Sequence, residues 1–362
     1  MAVLRLVSIH NCEEGFILAK PIFDQSNRIL LSAGSVMTDS FIQRLKDKNV
    51  HHIYVKSEIT EDVEVNDDLN PKLRFEAVQK LSEVFNNLQE GKTGKNAALG
   101  RVKSIRNMSD VFSQIMNEMN SSKHLLNLLS HMQSSVDTMF DHSINTGLYS
   151  LTMGRHLGLK EKELQILGLG ALYHDIGKLQ LEGVTKQNLK EWERHPDLAF
   201  QALRKESSLH LLVAHCAYQH HEHVDGSGFP RGLKGKDIHL YAKIIAVAEA
   251  FDYLINRKSL LPHEAMEVIV ARTFTRYDHH VVEAFKNAIA IYPIGVTVIL
   301  NTGESGVVIA YNNRYPQRPV VRVFKDQYGR KLNQFYNIDL MASLNTMIVK
   351  CDAVIEREPV KS

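Results

Sequence analysis

Histidines and acidic residues concentrate in one part of this chain. Ten of the 18 histidines lie between His142 and His239. One of them begins the pair HD at 174–175, and three stand in the stretch HHEHVDGSGFP at 220–230. Neutral imidazole and carboxylate are the ligands that suit iron, manganese, zinc and related ions. A lone histidine is ordinary, but this concentration favours a metal site.

Carboxylates on an apolar helix are a second signal. The stretch IIAVAEAFD at 244–252 has the composition of a buried helix but carries Glu249 and Asp252. Burying a carboxylate is costly unless it is paired or bound to metal. Neighbouring side chains on a helix point about 100° apart, so HD and HH serve one cluster only near a helix end or by bridging two ions. Two ions about 3.5–4 Å apart are typical of phosphoryl chemistry.

The elements that must hold these residues are predicted to be helices. From 124 to 290, segments such as KELQILGLGALYHDIG and KIIAVAEAFDYLI show apolar residues at helical spacing. Pro293 and Gly295 close this region, and four or five short strands are predicted after it. Near the N-terminus, FILAKPIF and RILLSAG predict strands around the turn DQSN, and TDSFIQRLKDKNV predicts a helix capped by Thr38 or Asp39.

These patterns predict a multidomain chain with an all-α core between two small flanking domains. The predicted segments are an N-terminal α/β or β-rich domain (1–56), an acidic linker (57–71), a helical connector (72–123), a helical catalytic domain (124–292) and a C-terminal β-domain (293–362).

The connector carries a short heptad seam. Its apolar residues recur at intervals of 3, 4, 3 and 4 residues, and they are Ile105, Met108, Phe112, Ile115 and Met119. Such a seam packs either on the rest of its own chain or on a second copy in a dimer. Both interpretations stay open, and a homodimer is one of the partners we consider.

Composition narrows the class of protein. The formal net charge is only +2, so any phosphate-binding site must come from a local group of basic residues. We expect no DNA or RNA partner. Three widely spaced cysteines fit a reducing cytoplasm better than a disulfide framework. The N-terminus lacks the apolar core of a signal peptide, and no run of about 18 apolar residues predicts a membrane span. We therefore expect a cytoplasmic protein.

The order of the motifs resembles the HD-GYP family, a branch of the HD phosphohydrolases that cleaves cyclic di-GMP. The motifs in chain order are His142, HD followed by IGK at 174–178, HP at 195–196, HHE with DGSGFP at 220–230, and IIAVAEAFD at 244–252. They cover roughly residues 130–290. HD alone is weak evidence, but five motifs in this order are specific. The resemblance implies an HD-type helical core.

The resemblance also implies a site for two divalent metal ions, with iron or manganese expected. The implied ligands are His142, His174, Asp175, His195, His220, His221 and Glu249. Asp175 would bridge both ions, and Lys178 would face the substrate phosphate. These two are the implied catalytic residues. The implied substrate-binding residues are Lys178, Asp225, Gly226, Gly228, Phe229, Pro230, Arg257 and Lys258.

This chain departs from the family pattern at four places. The loop reads GFP instead of GYP, so Phe229 lacks the hydroxyl group. Glu249 replaces the aspartate that is the family's last ligand. Thr138 stands where some members have a glutamate for a third metal, so we expect two ions. The sequence NRKSLLP replaces a basic segment that contacts substrate phosphates in the family. Only Arg257 and Lys258 could make those contacts here.

The predicted function is a metal-dependent phosphodiesterase that hydrolyses cyclic di-GMP with a hydroxide activated by two metal ions. A first alternative is a regulatory module that binds cyclic di-GMP without cleaving it. A second is an HD phosphohydrolase for another nucleotide, which the HHE–DGSGFP loop argues against. The third is a di-iron oxygenase, which Lys178 argues against. A diguanylate cyclase or another signalling protein is a further partner that we consider.

Overall fold

The helices predicted from the apolar spacing form the larger part of the structure. This computed structural model describes residues 5–23, 28–48, 50–63, 69–88, 95–121, 139–181, 188–312 and 315–351. These residues divide into two units. One unit contains the described residues from 69 to 289, and the other combines those up to 63 with those from 290 onward. The predicted segment boundaries stay a prediction.

The regular elements that the structure describes in the first unit are all helices. Its α-helices are α2 (Pro71–Leu88), α3 (Lys95–Ser121), α4 (Met139–His156), α5 (Glu161–Tyr173), α6 (Leu189–Trp192), α7 (His195–Leu203), α8 (Leu211–Gln219), α9 (Leu240–Asn256), α10 (Pro262–Ala271) and α11 (His279–Ala288). Short 3-10 helices cover Ile176–Leu181 and Gly235–Asp237. Helix α4 packs on α5 and α9, and α8 packs on α5 and α7. This packing brings the predicted metal ligands of separate helices together.

The heptad seam of α3 is buried within the chain itself. Its five residues are no more than 8% exposed, and α3 packs on α2 and α5. The seam residues are therefore part of the helical core, as the self-packing interpretation predicts.

The second unit contains the β-structure at both ends of the chain. Its N-terminal elements are β1 (Arg5–Ser8), β2 (Ile22–Phe23), β3 (Ile29–Leu31), α1 (Asp39–Asp47) and β4 (His52–Val55). Strand β1 pairs antiparallel with β4, and β2 pairs with β3. Thr38 caps α1 by accepting a hydrogen bond from the Phe41 N–H, as predicted. The predicted turn DQSN lies outside the described residues.

The C-terminal part of this unit is one antiparallel sheet. Its strands are β5 (Thr297–Leu300), β6 (Ser305–Ala310), β7 (Val320–Lys325), β8 (Lys331–Asp339) and β9 (Ile348–Cys351), in the order β8-β7-β6-β5-β9. Ile59, Val307 and Phe324 form a shared apolar cluster. The predicted fold class is confirmed: a helical core, a C-terminal β-domain and an N-terminal segment that contains β-strands. Among the described helices, none has both the length and the hydrophobicity that crossing a bilayer requires.

Candidate metal centre

The predicted histidine ligands lie at the ends of helices. His174 follows the last residue of α5, and His195 is the first residue of α7. His220 and His221 follow the end of α8, and His142 lies in the first turn of α4. At a helix end the chain direction changes, so adjacent residues can face one point. The HD and HH pairs therefore both reach one cluster.

The Asp175 carboxylate lies at the centre of this cluster. Its Oδ2 atom is 3.4 Å from His174 Nε2 and 3.9 Å from His142 Nε2. Its Oδ1 atom is 3.5 Å from His195 Nε2 and 3.8 Å from His220 Nε2. The two oxygens thus face two different sets of imidazoles. A carboxylate in this position is suited to bridge two cations.

Three histidines are held in a single tautomer by the backbone. The Nδ1 atoms of His174, His195 and His220 lie 2.6–2.8 Å from the carbonyl oxygens of Ala171, Trp192 and Ala217. A carbonyl oxygen can only accept, so each Nδ1 carries the hydrogen. In the neutral ring Nε2 is then a bare acceptor that faces the cluster. This is the form in which imidazole binds a metal.

Two of these bare acceptors face each other. His195 Nε2 and His220 Nε2 are 3.2 Å apart and buried. Burial lowers the pKa of His195 to about 4 and that of His220 well below its ordinary value, so both rings are neutral at pH 7. Two acceptors without a hydrogen between them cannot form a hydrogen bond. A cation that both nitrogens bind would satisfy them.

Other buried polar atoms point to the same chemistry. His174 Nε2, Asp175 Oδ1 and His221 Nε2 have no hydrogen-bond partner among the residues that the structure describes. Burial would raise the pKa of the Asp175 carboxyl, but the positive charges of a protonated His174 and of the Lys178 ammonium group hold it well below its ordinary value. The carboxylate is therefore ionised.

The potential ligands form two groups. In each group, three ligand atoms lie within 4.8 Å of one another, and the groups are His142, His174 and Asp175, and His195, His220 and His221. Buried polar atoms in native proteins are nearly always hydrogen-bonded, and a bound ion is one explanation for an exception. The residues present therefore fit the divalent metals that the fold implies.

Lys178 lies at the edge of the cluster. Its Nζ atom forms a salt bridge with Asp175 Oδ2 and lies 5.3 Å from the centre of the Trp192 ring. Its side chain is 26% exposed, whereas Asp175 is 1% exposed. A cation in this position can reach a ligand at the mouth of the site and the buried carboxylate behind it.

The DGSGFP loop folds back onto the cluster. The Phe229 ring stacks on the His221 ring with centroids 4.7 Å apart, and the Phe229 N–H donates to the His221 carbonyl. A Cβ atom at Gly228 would lie only 2.3 Å from the His223 nitrogen. Glycine is therefore required for the loop to pass this close to the histidine backbone.

A buried carboxylate holds the loop in place. Glu222 is 3% exposed and accepts hydrogen bonds of 2.8 Å from the N–H groups of Arg231 and Leu233. Asp225, Gly226 and Pro230 lie in the same loop, where Asp225 is exposed and accepts from the Ser227 N–H. The loop is thus fixed from its buried side.

Three predicted site residues on or just after α9 belong to neither ligand group. Glu249 approaches the site from α9, and its Oε2 atom is 3.8 Å from His221 Nδ1. Arg257 and Lys258 are exposed just beyond the C-terminal end of α9. Thr138 lies outside the described residues.

Asp252 is a site residue whose role the sequence did not indicate. Its Oδ2 atom is 2.7 Å from His142 Nδ1, and its Oδ1 atom accepts from the amides of Asn145 and Asn256. Burial lowers the pKa of His142, but the Asp252 carboxylate outweighs it and raises that pKa overall. The available signal was a buried acid three residues after Glu249 on an apolar helix.

Two other residues of the site, Trp192 and Glu222, were not predicted from the sequence. Trp192 is the only tryptophan of the chain. Its carbonyl orients His195, and its ring lies 5.3 Å from the His221 ring. Glu222 directly follows the HH pair, and its burial requires donors that the sequence does not reveal.

Fold and site together define a helical domain with His/Asp clusters that can bind divalent metals. Residues 114–281 match the model of the HD domain. Residues 297–358 match that of the KOW domain associated with the HD domain. The predicted resemblance is thus confirmed for the HD domain, and a match to the associated KOW domain follows it in the chain.

Several known proteins are similar to this chain. "Cyclic di-GMP phosphodiesterase PA4108" of Pseudomonas aeruginosa is 28% identical over 241 residues, 64% of this chain and 58% of that protein. "3'3'-cGAMP-specific phosphodiesterase 3" of Vibrio cholerae is 31% identical over 175 residues, 45% of this chain and 38% of that protein. The solved structure "Bd1817, a HDG"Y"P protein from Bdellovibrio bacteriovorus" has a TM-score of 0.47 and 17% identity, and covers 78% of this chain and 98% of that one.

Proposed function

We propose that this chain is a metal-dependent phosphodiesterase that hydrolyses cyclic di-GMP. The observation that carries this proposal is the buried Asp175 carboxylate, whose two oxygens face two separate sets of bare imidazole nitrogens. The curated relatives above, which this chain spans in part, are named as phosphodiesterases of cyclic dinucleotides.

The metal site that we propose holds two divalent ions, iron or manganese. His142 and His174 would hold one ion, while His195, His220 and His221 would hold the other, with Asp175 shared. Glu249 would complete the set from α9. Divalent ions in such a site supply Lewis acidity toward a phosphate group and make water more acidic.

The chain's own residues then determine where the substrate is held. Lys178 offers a positive charge to the non-bridging phosphate oxygens, where charge increases during hydrolysis. The Trp192 ring beside its ammonium group limits where that group can lie. Phe229 and the loop held by Glu222 cover one side of His221 and limit the access of bulk water.

The test uses protein purified without chelator. Its metal content is measured, and it is then incubated with cyclic di-GMP and separately with 3'3'-cGAMP, followed by chromatography. A chelator-treated sample is the control. We expect hydrolysis of cyclic di-GMP by the metal-containing sample alone. Faster hydrolysis of 3'3'-cGAMP would show that cyclic di-GMP is not the preferred substrate. Inactivity of the metal-loaded protein on both compounds would contradict the proposal.

A second candidate function is a sensor that binds cyclic di-GMP without cleaving it. The observation in its favour is that Glu249 lies outside both groups of ligand atoms. Measuring binding on the same preparations separates the two functions, because a sensor binds the nucleotide but shows no turnover above the chelated control.

A further inference from the structure

We propose that Arg74 is a positioning residue of the metal centre, which fixes the His142 side chain through Asn145 and Asp252. This inference rests on the metal site proposed above. Arg74 lies in the first turn of α2, on a different helix from every proposed ligand. It belongs to none of the motifs that the sequence singles out.

A continuous row of hydrogen bonds leads from Arg74 to the cluster. Arg74 Nη2 donates to Asn145 Oδ1 over 2.8 Å, and Asn145 Nδ2 donates to Asp252 Oδ1 over 2.7 Å. Asp252 Oδ2 is 2.7 Å from His142 Nδ1. His142 Nε2 then faces Asp175 Oδ2 at 3.9 Å. Three helices, α2, α4 and α9, contribute to this row.

The chemistry of each group fixes the direction of every bond. A guanidinium group can only donate, so the oxygen of the Asn145 amide must face Arg74. Its NH2 group must then face Asp252, whose carboxylate can only accept. His142 Nδ1 therefore carries its hydrogen toward Asp252, and in the neutral ring the Nε2 lone pair faces Asp175. Arg74 thus determines the orientation of the amide that supports the ligand's carboxylate partner.

The row is buried, so its partners cannot be replaced by water without cost. Asn145 and Asp252 are each 1% exposed, and the Arg74 side chain is 14% exposed. Arg74 Nη2 also lies 3.2 Å from Asp141 Oδ1, so it donates to this carboxylate as well as to the Asn145 amide. Without Arg74, the Asn145 oxygen loses a donor inside the protein, and the support of Asp252 weakens. The His142 ring is then held less firmly in the orientation that binds metal.

The test compares metal affinity in four proteins: wild type, Arg74→Met, Arg74→Lys and Arg101→Met. Methionine keeps an unbranched side chain but removes all donors, whereas lysine keeps the charge and one donor group. Arg101→Met is the matched control, because Arg101 forms a similar ion pair with Glu206 at 2.9 Å outside the metal centre. Mn²⁺ affinity is measured by competition with a chelator, and thermal unfolding of the metal-free proteins monitors the fold.

We expect Arg74→Met to weaken Mn²⁺ binding about tenfold, the lower end of the effect of residues that support metal ligands. Arg74→Lys should recover part of this loss, and Arg101→Met should bind as the wild type does. Unchanged affinity in a folded Arg74→Met protein would overturn this inference alone. An equal loss in Arg101→Met, or no recovery in Arg74→Lys, would also overturn it, since the effect would then be general destabilisation. A wild type that binds no metal would overturn both this inference and the proposed function.

Discussion

Replacing Gly177 with alanine tests whether the close approach of two backbone segments is needed for the ligand geometry of the metal centre. A Cβ atom at this position would lie 2.0 Å from the carbonyl oxygen of His195 and 2.7 Å from the Ala199 nitrogen. Ordinary contact begins at 3.4 Å, so the 3-10 segment after Asp175 and the start of α7 would have to separate by about 1.4 Å, the difference between the two distances. Both atoms are backbone atoms, so no side chain can turn away to make room.

The separation acts directly on the ligand geometry. His195 Nε2 lies 3.5 Å from Asp175 Oδ1. His195 is on one of the two segments that would move apart, and Asp175 directly precedes the other. Overpacking of this kind costs about 1–3 kcal/mol of stability. A displacement of about 1 Å in a catalytic arrangement reduces turnover about 100-fold. We expect Gly177→Ala to lose most metal at the His195 group and to lower turnover by about this factor.

The assay combines elemental analysis, cyclic di-GMP hydrolysis and thermal unfolding. Gly100→Ala is the matched control, because a Cβ atom on α3 at that position meets its nearest neighbour at 4.0 Å. Alanine within a helix stabilises by about 0.5–1 kcal/mol relative to glycine, so this variant should keep its metal and melt no lower than wild type. A Gly177→Ala protein with wild-type metal content and turnover would show that the metal centre does not require glycine at this position.

Three further predictions concern single side chains. Phe229→Tyr should change turnover less than tenfold, about 1.4 kcal/mol, because the ring stacks on His221 and is not a proposed ligand; a much larger gain would favour the sensor function. Glu249→Gln should weaken metal binding and lower turnover at least tenfold, while Glu249→Asp retains or raises activity; wild-type turnover in Glu249→Gln would exclude this side chain as a ligand. Burial lowers the pKa of His52 from its ordinary 6.5 to about 3. Between pH 6.5 and about pH 3 the unfolded chain therefore binds a proton at His52 more readily than the folded chain does. The free energy of unfolding falls by up to about 1.4 kcal/mol per pH unit as the pH drops through this range. His52→Leu should flatten this acid dependence in urea unfolding curves, and an unchanged dependence would contradict the assignment.

The sequence predicted the helical core and the convergence of its histidines. The motifs that supply the histidines are far apart from one another in the chain: His142, HD, HP and HHE. Each falls at or near a helix end, where two adjacent residues can face one site. The four or five short strands predicted after Pro293 and Gly295 correspond to the five strands of the observed sheet. In the N-terminal segment, FILAKPIF was predicted to be a strand, but only Ile22–Phe23 forms one. Short apolar runs predict which residues are buried better than they predict the backbone conformation.

The supporting contacts of the site could not be predicted. Asp252 and Glu249 stand three residues apart on one apolar helix, and only the packing of α9 on α4 shows that Asp252 pairs with His142. The same holds for Glu222, whose donors come from the returning loop. Arg74 carries no motif at all, and its role depends on the packing of α2 against α4. Such partners follow from tertiary geometry and leave no spacing signal in the chain.

In the phosphodiesterase that we propose, Asp175 joins two metal ions. Asp175→Asn keeps the shape of the side chain but removes the charge that two cations would share. The direct measurement is metal stoichiometry together with cyclic di-GMP hydrolysis, for wild type and Asp175→Asn at equal protein concentration. We predict about two ions per chain and turnover in wild type, with most of the metal and the turnover lost in a folded Asp175→Asn protein. Full metal content and wild-type hydrolysis in that variant would contradict the claim.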